Sequence, residues 1–147
     1  MGGPSVVEEA LRLHDLGLTV VPAPADDGKS VEGAVKGFQN WRLRLPRKRV
    51  ERLFEEHPDA CIALLVGHCG LVVVDCDDDD ALAVAEARYG RTPVLVRTPS
   101  GRGGHLYYRE PPGEGVRQAD LRRSEGLAID IKAGKGAYVV CPPSVRP

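Results

Sequence analysis

Apolar and polar positions in the first half of the chain predict two helices around a short strand. Residues 6–16 place apolar side chains at a helical spacing, and Ser5 before them suits an N-cap. Residues 18–21 form a short apolar run that Pro22 should end, because proline cannot donate to a strand ladder. Residues 46–56 are apolar on one helical face and basic on the other, which predicts an amphipathic helix with proline in its first turn.

The strongest strand pattern in the chain is a Leu-Val-Val-Val run that ends in acidic residues, within residues 70–77. A shorter apolar run at residues 61–66 precedes it. The acidic residues 78–80 suit the N-terminus of a helix over residues 81–89, because negative charge is favourable at that end. Gly90 is then expected to end this helix.

Two further pairs of strands surround glycine-rich turns. Residues 94–98 and 105–109 predict one hairpin, and residues 127–132 and 137–141 predict a second hairpin that turns at Gly134-Lys135-Gly136. Strands therefore gather in the second half of the chain. This order favours an α+β fold with a largely antiparallel sheet over a doubly wound parallel sheet.

The composition is that of a globular protein without a large net charge. A chain of 147 residues, 42% of them hydrophobic, can bury its own core, so residues 1–147 are expected to form a single domain. A net charge of −1 argues against a protein that coats nucleic acid through overall charge, but leaves binding through a local basic patch open. Neither a signal peptide nor an apolar stretch of membrane-spanning length is apparent, so we expect a cytoplasmic protein without membrane contact.

The four cysteines lack the close spacing of a zinc site. A metal cluster of His57, Cys61, His68 and Cys69 is conceivable, but reduced and mostly buried thiols are the favoured interpretation. Cys76, which lies between two acidic residues of a strand, is expected to point into the core.

Three aspartates in or beside apolar strands are the candidate metal ligands and catalytic residues. Asp75 and Asp77 flank Cys76, and because side chains alternate along a strand they should share a face. Asp130 lies inside another apolar strand, where an acid needs a partner. Neighbouring carboxylates repel unless a cation lies between them, and their hard oxygens favour Mg²⁺ or Mn²⁺. The alternative is that Asp75 and Asp77 only cap the next helix and that Asp130 is half exposed.

The glycine-rich segment 98–107 is the candidate phosphate-binding turn. Such a turn, of which Gly103 is part, exposes backbone amides that can contact phosphate oxygens. Ser100 can add a hydroxyl donor and Arg102 a guanidinium. His105 begins the next strand and could also donate to a phosphate. Taken alone, the segment would be interpreted as a hairpin turn, and His105 as a histidine satisfied within the core.

A lysine completes the predicted site. Lys132 lies two residues after Asp130, hence on the same face of the strand, where it could bind a phosphate that bridges to a metal ion. A surface lysine is the alternative. Carboxylates, a phosphate-binding turn and a cation together describe a site for a nucleoside triphosphate with divalent metal, and the chemistry implied is two-metal phosphoryl transfer.

Candidate DNA contacts come from the basic residues between positions 42 and 52. Arg42, Arg47 and Arg49 could contact template phosphates. Trp41 could stack on a base, although we expect it in the core. The alternative for the arginines is a solvated helix face.

Three motifs resemble the archaeo-eukaryotic primase superfamily, and within it the bifunctional primase–polymerase domains of plasmids, phages and mobile elements. They are Val-Asp-Cys-Asp at the end of a hydrophobic strand, Thr-Pro-Ser-Gly-Arg-Gly-Gly-His-Leu-Tyr-Tyr, and Ile-Asp-Ile-Lys followed by Gly-Ala-Tyr-Val-Val-Cys-Pro-Pro-Ser. The N-terminal helix, a loop lysine at position 29 and an aromatic pair before the second helix are also similar, so the resemblance spans nearly the whole chain.

The resemblance implies an RRM-like sheet beside a small N-terminal α/β module, with DNA and dNTP or NTP as substrates. It places the paired metal-binding acids on Asp75 and Asp77, the third acid on Asp130 and the nucleotide-binding histidine on His105. Many relatives have serine where this chain has Gly103. Relatives also usually continue beyond the position of Ser144, and priming in this family often needs an accessory helical or zinc-bearing segment. A helicase domain or protein is a further partner that the resemblance suggests. The resemblance implies DNA polymerase or primase activity, in a domain that is either a minimal core or part of a longer chain.

Two other functions remain open at this point. The same acids could serve a metal-dependent phosphodiesterase, or the chain could be a non-catalytic nucleotide- or DNA-binding module of a replication initiator. Intact acids at all three positions speak against the second of these.

Overall fold

The chain folds into two antiparallel sheets with helices packed on them. The computed structural model describes residues 5–24, 31, 34–97, 101–111 and 115–140. In chain order, the helices and strands are α1 (Val6–Asp15), β1 (Val20–Ala23), α2 (Arg47–Glu56), β2 (Cys61–Leu65), β3 (Leu71–Cys76), α3 (Asp79–Tyr89), β4 (Leu95–Val96), β5 (Gly104–Arg109), β6 (Ala119–Asp120), α4 (Leu121–Glu125), β7 (Ile129–Lys132) and β8 (Tyr138–Val140), with 3₁₀ turns at Phe38–Asn40 and Val66–Cys69.

The first helix forms as its sequence predicts. Ser5 accepts a hydrogen bond from the amide of Glu8 and so satisfies one of the free donors at the helix start. Its apolar face, Ala10, Leu11 and Leu13, packs in one core cluster with α2 and with strands of the first sheet. The amphipathic pattern is therefore the main reason that α1 lies where it does.

Sheet 1 joins β1, β2 and β8 in that order, with antiparallel pairs throughout. The prediction that Pro22 ends the first strand is wrong, because Pro22 lies within β1 and faces Ile62. β1 lies at the edge of the sheet and pairs only with β2. An edge strand tolerates proline, because the missing N–H then leaves no carbonyl oxygen of the neighbouring strand without its hydrogen bond. Every residue of β2 is buried, as expected for a strand that is covered on both faces.

Sheet 2 has the strand order β4-β5-β3-β7-β6, and all of its pairs are antiparallel. The expected pairing of residues 94–98 with 105–109 is confirmed by β4 and β5, although residues 98–100 of the turn lie outside the described part of the chain. The predicted α+β fold with largely antiparallel strands is confirmed.

The second predicted hairpin does not form. β7 pairs with β3 and β6 in sheet 2, whereas β8 pairs with β2 in sheet 1. Gly67 explains part of the change of sheet: a Cβ there would lie 2.6 Å from the Lys135 amide nitrogen and closer still to Gly134, so the two backbones pass in direct contact. Non-local packing thus overrides a turn pattern that looks like a hairpin in the sequence.

The two faces of β3 meet different surroundings. Val74 and Cys76 pack in a cluster with Ala81 and Leu82 of α3, which covers one face of sheet 2. Val73, on the other face, is fully buried in the same cluster as residues of α1 and sheet 1. The face of sheet 2 that carries Val73, and therefore Asp75, is the one turned toward the first module, here meaning sheet 1 with α1 and α2.

Candidate active site

Three of the predicted site residues form a row across neighbouring strands. His105 of β5 and Asp130 of β7 are both direct cross-strand partners of Asp75 in β3. Residues directly opposite in antiparallel strands project to the same face of the sheet. Residues that are 30 and 55 positions from Asp75 in sequence, by subtraction, are therefore brought beside it by register alone.

The histidine contacts the central aspartate. His105 Nε2 lies 3.3 Å from Asp75 Oδ1, and the two side chains retain 15% and 25% of their exposure. Among the described residues, His105 Nδ1 is buried and has no hydrogen-bond partner. The imidazole is thus mostly buried beside Asp75, and one of its two nitrogens is not satisfied by the described residues.

Asp77 follows the end of β3 and extends its pairing. The Asp77 amide donates to the carbonyl oxygen of Ala128 at 3.0 Å, so the backbone remains aligned with the strand that carries Asp130. Its carboxylate accepts a hydrogen bond from Arg122 at 2.8 Å, and both side chains are well exposed. A pair so exposed is held weakly, because water and salt screen it.

Asp130 also has a cationic partner. Lys132 Nζ lies 2.8 Å from Asp130 Oδ2, as expected for residues two apart on one face of a strand. This lysine is half-buried and is therefore part of the site rather than a freely solvated charge. The carboxylates of Asp75, Asp77 and Asp130 each contact a histidine, arginine or lysine of the chain itself.

The donor set suits a hard divalent cation, but its side chains do not converge in the described structure. Within residues 5–24, 31, 34–97, 101–111 and 115–140, no group of three or more His, Cys, Asp or Glu side chains is arranged to hold a metal ion. Asp77 and Asp130 are instead turned to Arg122 and Lys132. Their carboxylate oxygens, beside that of Asp75, are nevertheless the ligands that Mg²⁺ and Mn²⁺ prefer.

Cys76 separates the two acids and remains a neutral thiol. It is fully buried against α3, as the alternation of the strand predicts. Burial, and then the nearby carboxylates of Asp75 and Asp77, raise the pKa of this thiol to about 11. Its contribution is packing that fixes the strand, since a neutral thiol is a poor metal ligand and nucleophile.

The glycine-rich turn lies directly against the end of β3. Gly103 has a φ of +63°, and a Cβ on it would lie 2.8 Å from the Asp78 amide nitrogen and closer still to the Cys76 carbonyl oxygen. The Gly103 amide donates to Asp79 Oδ1 at 2.9 Å. Of the other predicted members of this turn, Arg102 is exposed, whereas Ser100 lies outside the described residues.

The sequence matches the model of the family described as bifunctional DNA primase/polymerase, N-terminal, over residues 10–147. The chain belongs to this family. No curated protein matches it significantly. Membership indicates DNA primase/polymerase activity, a nucleotidyltransferase reaction with DNA and nucleotides as substrates. The resemblance inferred from the three motifs is thereby confirmed.

The described residues of this primase/polymerase domain contain no helix with the length and apolar character needed to span a membrane.

The candidate DNA-contacting arginines lie on the first module of the primase/polymerase domain. Arg42 and Arg49 are exposed, while Arg47 donates to Asp15 of α1 at 3.1 Å. Trp41, which is expected in the core, is partly buried against a core cluster that contains the fully buried Phe38. The placement of the three arginines is compatible with a solvated helix face as well as with a phosphate contact, so the role of these arginines in DNA binding stays a prediction.

Sequence reasoning missed three side chains beside this site. Asp120 of β6 is the cross-strand partner of Asp130, and caps α4 through the Arg122 amide. Arg122 itself contacts Asp77, and Asp79 holds the glycine-rich turn. The sequence carries only a faint signal for Asp120, an acid just before a short polar helix, because β6 and α4 have no apolar periodicity. Arg122 and Asp79 could not be found without the tertiary structure.

Proposed function

We propose that this primase/polymerase domain performs template-dependent nucleotidyl transfer to DNA from a dNTP or NTP, with Asp75, Asp77 and Asp130 as the metal-binding acids. The observation that carries the proposal is the row His105–Asp75–Asp130, in which adjacent strands present two acids and an imidazole on one face. Family membership supplies the reaction class.

The three aspartates would hold Mg²⁺ or Mn²⁺. Asp75 is central among the site residues because it is the cross-strand partner of both His105 and Asp130. When bound, such ions lower the pKa of an attacking 3′-hydroxyl and neutralise the charge that develops on the leaving pyrophosphate. For the side chains to bind metal, the carboxylates of Asp77 and Asp130 must turn from Arg122 and Lys132. Exposure makes the first exchange inexpensive, because an exposed ion pair contributes only about 0–1 kcal/mol.

The remaining polar groups bind and orient the triphosphate. Lys132, once it leaves Asp130, carries a positive charge on the face of the acids, where it neutralises phosphate oxygens. His105 lies on the other side of Asp75 and can donate to a phosphate through the imidazole. Arg102 and Ser100 of the glycine-rich turn are proposed as further phosphate contacts. The absence of a side chain at Gly103 lets the backbone there lie against the end of β3.

The decisive experiment compares primer extension and unprimed synthesis side by side, with dNTPs and NTPs, in Mg²⁺ and in Mn²⁺. We expect Asp75→Asn to reduce nucleotide incorporation by at least about a hundredfold, because the substitution removes the proposed metal-binding carboxylate between His105 and Asp130. Asp80→Asn, an exposed acid in the first turn of α3, is the matched control and should retain activity.

Full activity of Asp75→Asn would refute the assignment of the acids. DNA degradation without synthesis in the presence of dNTPs would instead identify a phosphodiesterase that uses the same residues. Binding of dNTP without turnover by the unsubstituted chain would identify a non-catalytic module.

A further inference from the structure

A single carboxylate ties the glycine-rich turn to the start of α3. Asp79 Oδ1 accepts a hydrogen bond from the Gly103 amide at 2.9 Å and another from Arg97 Nη1, also at 2.9 Å. Arg97 in turn donates to the carbonyl oxygen of Gly103 at 3.1 Å. The residue that follows β4, the residue that precedes β5 and the first residue of α3 are therefore joined in one closed hydrogen-bonded group.

This group lies next to the proposed catalytic acids. Gly103 packs against the backbone of Cys76 and Asp78 so closely that no side chain fits between them. Because Cys76 lies between Asp75 and Asp77, the position of the turn relative to both acids depends on this contact. Gly104, the next residue, pairs with Cys76 in the β3–β5 ladder. Asp79 and Arg97 add hydrogen bonds that hold the Gly103 backbone against the end of β3 from the outside.

The ordinary functions of an acid at a helix start are already performed by its neighbours. Asp78 is the N-cap of α3 and accepts from the Ala81 amide at 2.7 Å. Asp80 supplies a second negative charge in the first turn, where it favours the helix. Asp79 is 68% exposed in its ion pair with Arg97, and such pairs add little to global stability. Its distinguishing property is the contact with the turn.

We propose that Asp79 is a positioning residue, which, through Gly103 and Arg97, holds residues 101–103 of the glycine-rich segment in place for the triphosphate of the incoming nucleotide. The inference rests on the proposed function, because it takes the turn as a phosphate contact. Because residues 101–103 are held in place before binding, the free energy of nucleotide binding does not include the entropy cost of ordering them, which strengthens binding. Loss of the hydrogen bonds that Asp79 makes to Gly103 and Arg97 therefore raises the KM for dNTP and leaves kcat nearly unchanged.

Two measurements on Asp79→Ala, with Asp80→Ala as the matched control, test the proposal. Amide hydrogen exchange at Gly103 reports directly on the hydrogen bond from the Gly103 amide to Asp79. We expect the exchange rate to rise at least about tenfold in Asp79→Ala. The KM for dNTP in primer extension should rise about five- to thirtyfold with kcat changed less than about twofold, in line with loss of two charge-assisted hydrogen bonds. Asp80→Ala should leave both quantities as in the unsubstituted chain, and thermal unfolding verifies that both variants fold.

Asp79→Asn sharpens the test, because its amide oxygen still accepts from Gly103 while its charge for Arg97 is lost, so an intermediate KM is expected. An unchanged KM and unchanged exchange in Asp79→Ala, or an equal effect of Asp80→Ala, would overturn the proposal. If the unsubstituted chain shows no nucleotide incorporation, the proposed function fails. The dissociation constant for dNTP then replaces KM, and a chain that binds no dNTP excludes a positioning role for Asp79 as well.

Discussion

Gly103 is the residue at which a single carbon atom has the largest expected effect on the site. Its positive φ favours glycine, and its hydrogen faces the backbone of Cys76 and Asp78 with no room for a Cβ. In this chain the backbone comes so close to β3 that a hydroxyl-bearing side chain would have to displace the turn.

The first prediction compares Gly103→Ala with Gly101→Ala. Gly101 also has a positive φ, of +75°, but no atom of the described residues lies within 4 Å of a Cβ there. Gly101→Ala should cost about 1 kcal/mol of unfolding free energy from backbone strain alone, whereas Gly103→Ala should cost about 2–4 kcal/mol because overlap is added to strain. Urea denaturation measures both, and equal losses in the two variants would show that the close approach is absent.

At the scale of elements, the short helix α4 brings a cation to the edge of the site. Asp120 caps it by accepting from the Arg122 amide, and the Arg122 side chain then reaches Asp77. The guanidinium and a metal ion would compete for the same carboxylate. The helix therefore places a weakly held cation of the chain beside Asp77. Under the proposed function, this pairing would lower the affinity of Asp77 for a metal ion.

The second prediction is that Arg122→Gln binds Mn²⁺ about two- to fivefold more tightly, because an exposed competing charge of less than about 1 kcal/mol is removed. Arg123→Gln, an exposed neighbour in the same helix, is the control for net charge and should change the affinity less. Titration calorimetry with MnCl₂ gives both values. Weaker binding by Arg122→Gln would show that this arginine supports the metal site instead of competing with it.

At the scale of the whole molecule, the two sheets share one core. Val73 of sheet 2 is fully buried in the same cluster as Leu64 and Val139 of sheet 1. The chain also returns from β7 in sheet 2 to β8 in sheet 1. A shared core and a crossing chain favour cooperative unfolding of the expected single domain.

The third prediction concerns this cooperativity. Val73→Ala should lower the unfolding free energy by about 1–3 kcal/mol, because it leaves a cavity where the sheets meet. Val84→Ala, at a position on α3 that is 36% exposed, should change it by less than about 0.5 kcal/mol. Fluorescence of the single tryptophan, Trp41, reports the first module, and far-UV circular dichroism reports both. Two transitions that do not coincide, or a Val73→Ala effect on only one of them, would contradict a single cooperative domain.

The sequence by itself determined the local structure and the chemical character of the site. Helix α1 with its Ser5 cap, the core-facing Cys76 and the position of the acids at a strand end all follow from capping and side-chain alternation. These are properties of residues close together in the chain, and so they can be derived from it. The three motifs also sufficed to indicate the family that the match over residues 10–147 then showed.

Only the tertiary structure decided which residues meet. The register that places His105 and Asp130 beside Asp75, the contact of Arg122 with Asp77 and the departure of β8 to sheet 1 depend on strand pairing between distant segments. Pairing is chosen by the packing of the whole core, and a shift by one residue would turn every side chain of a strand to the opposite face. A sequence can therefore name the acids of this site and the nearby Lys132, but the contact of Arg122 with Asp77 becomes apparent only in the folded chain.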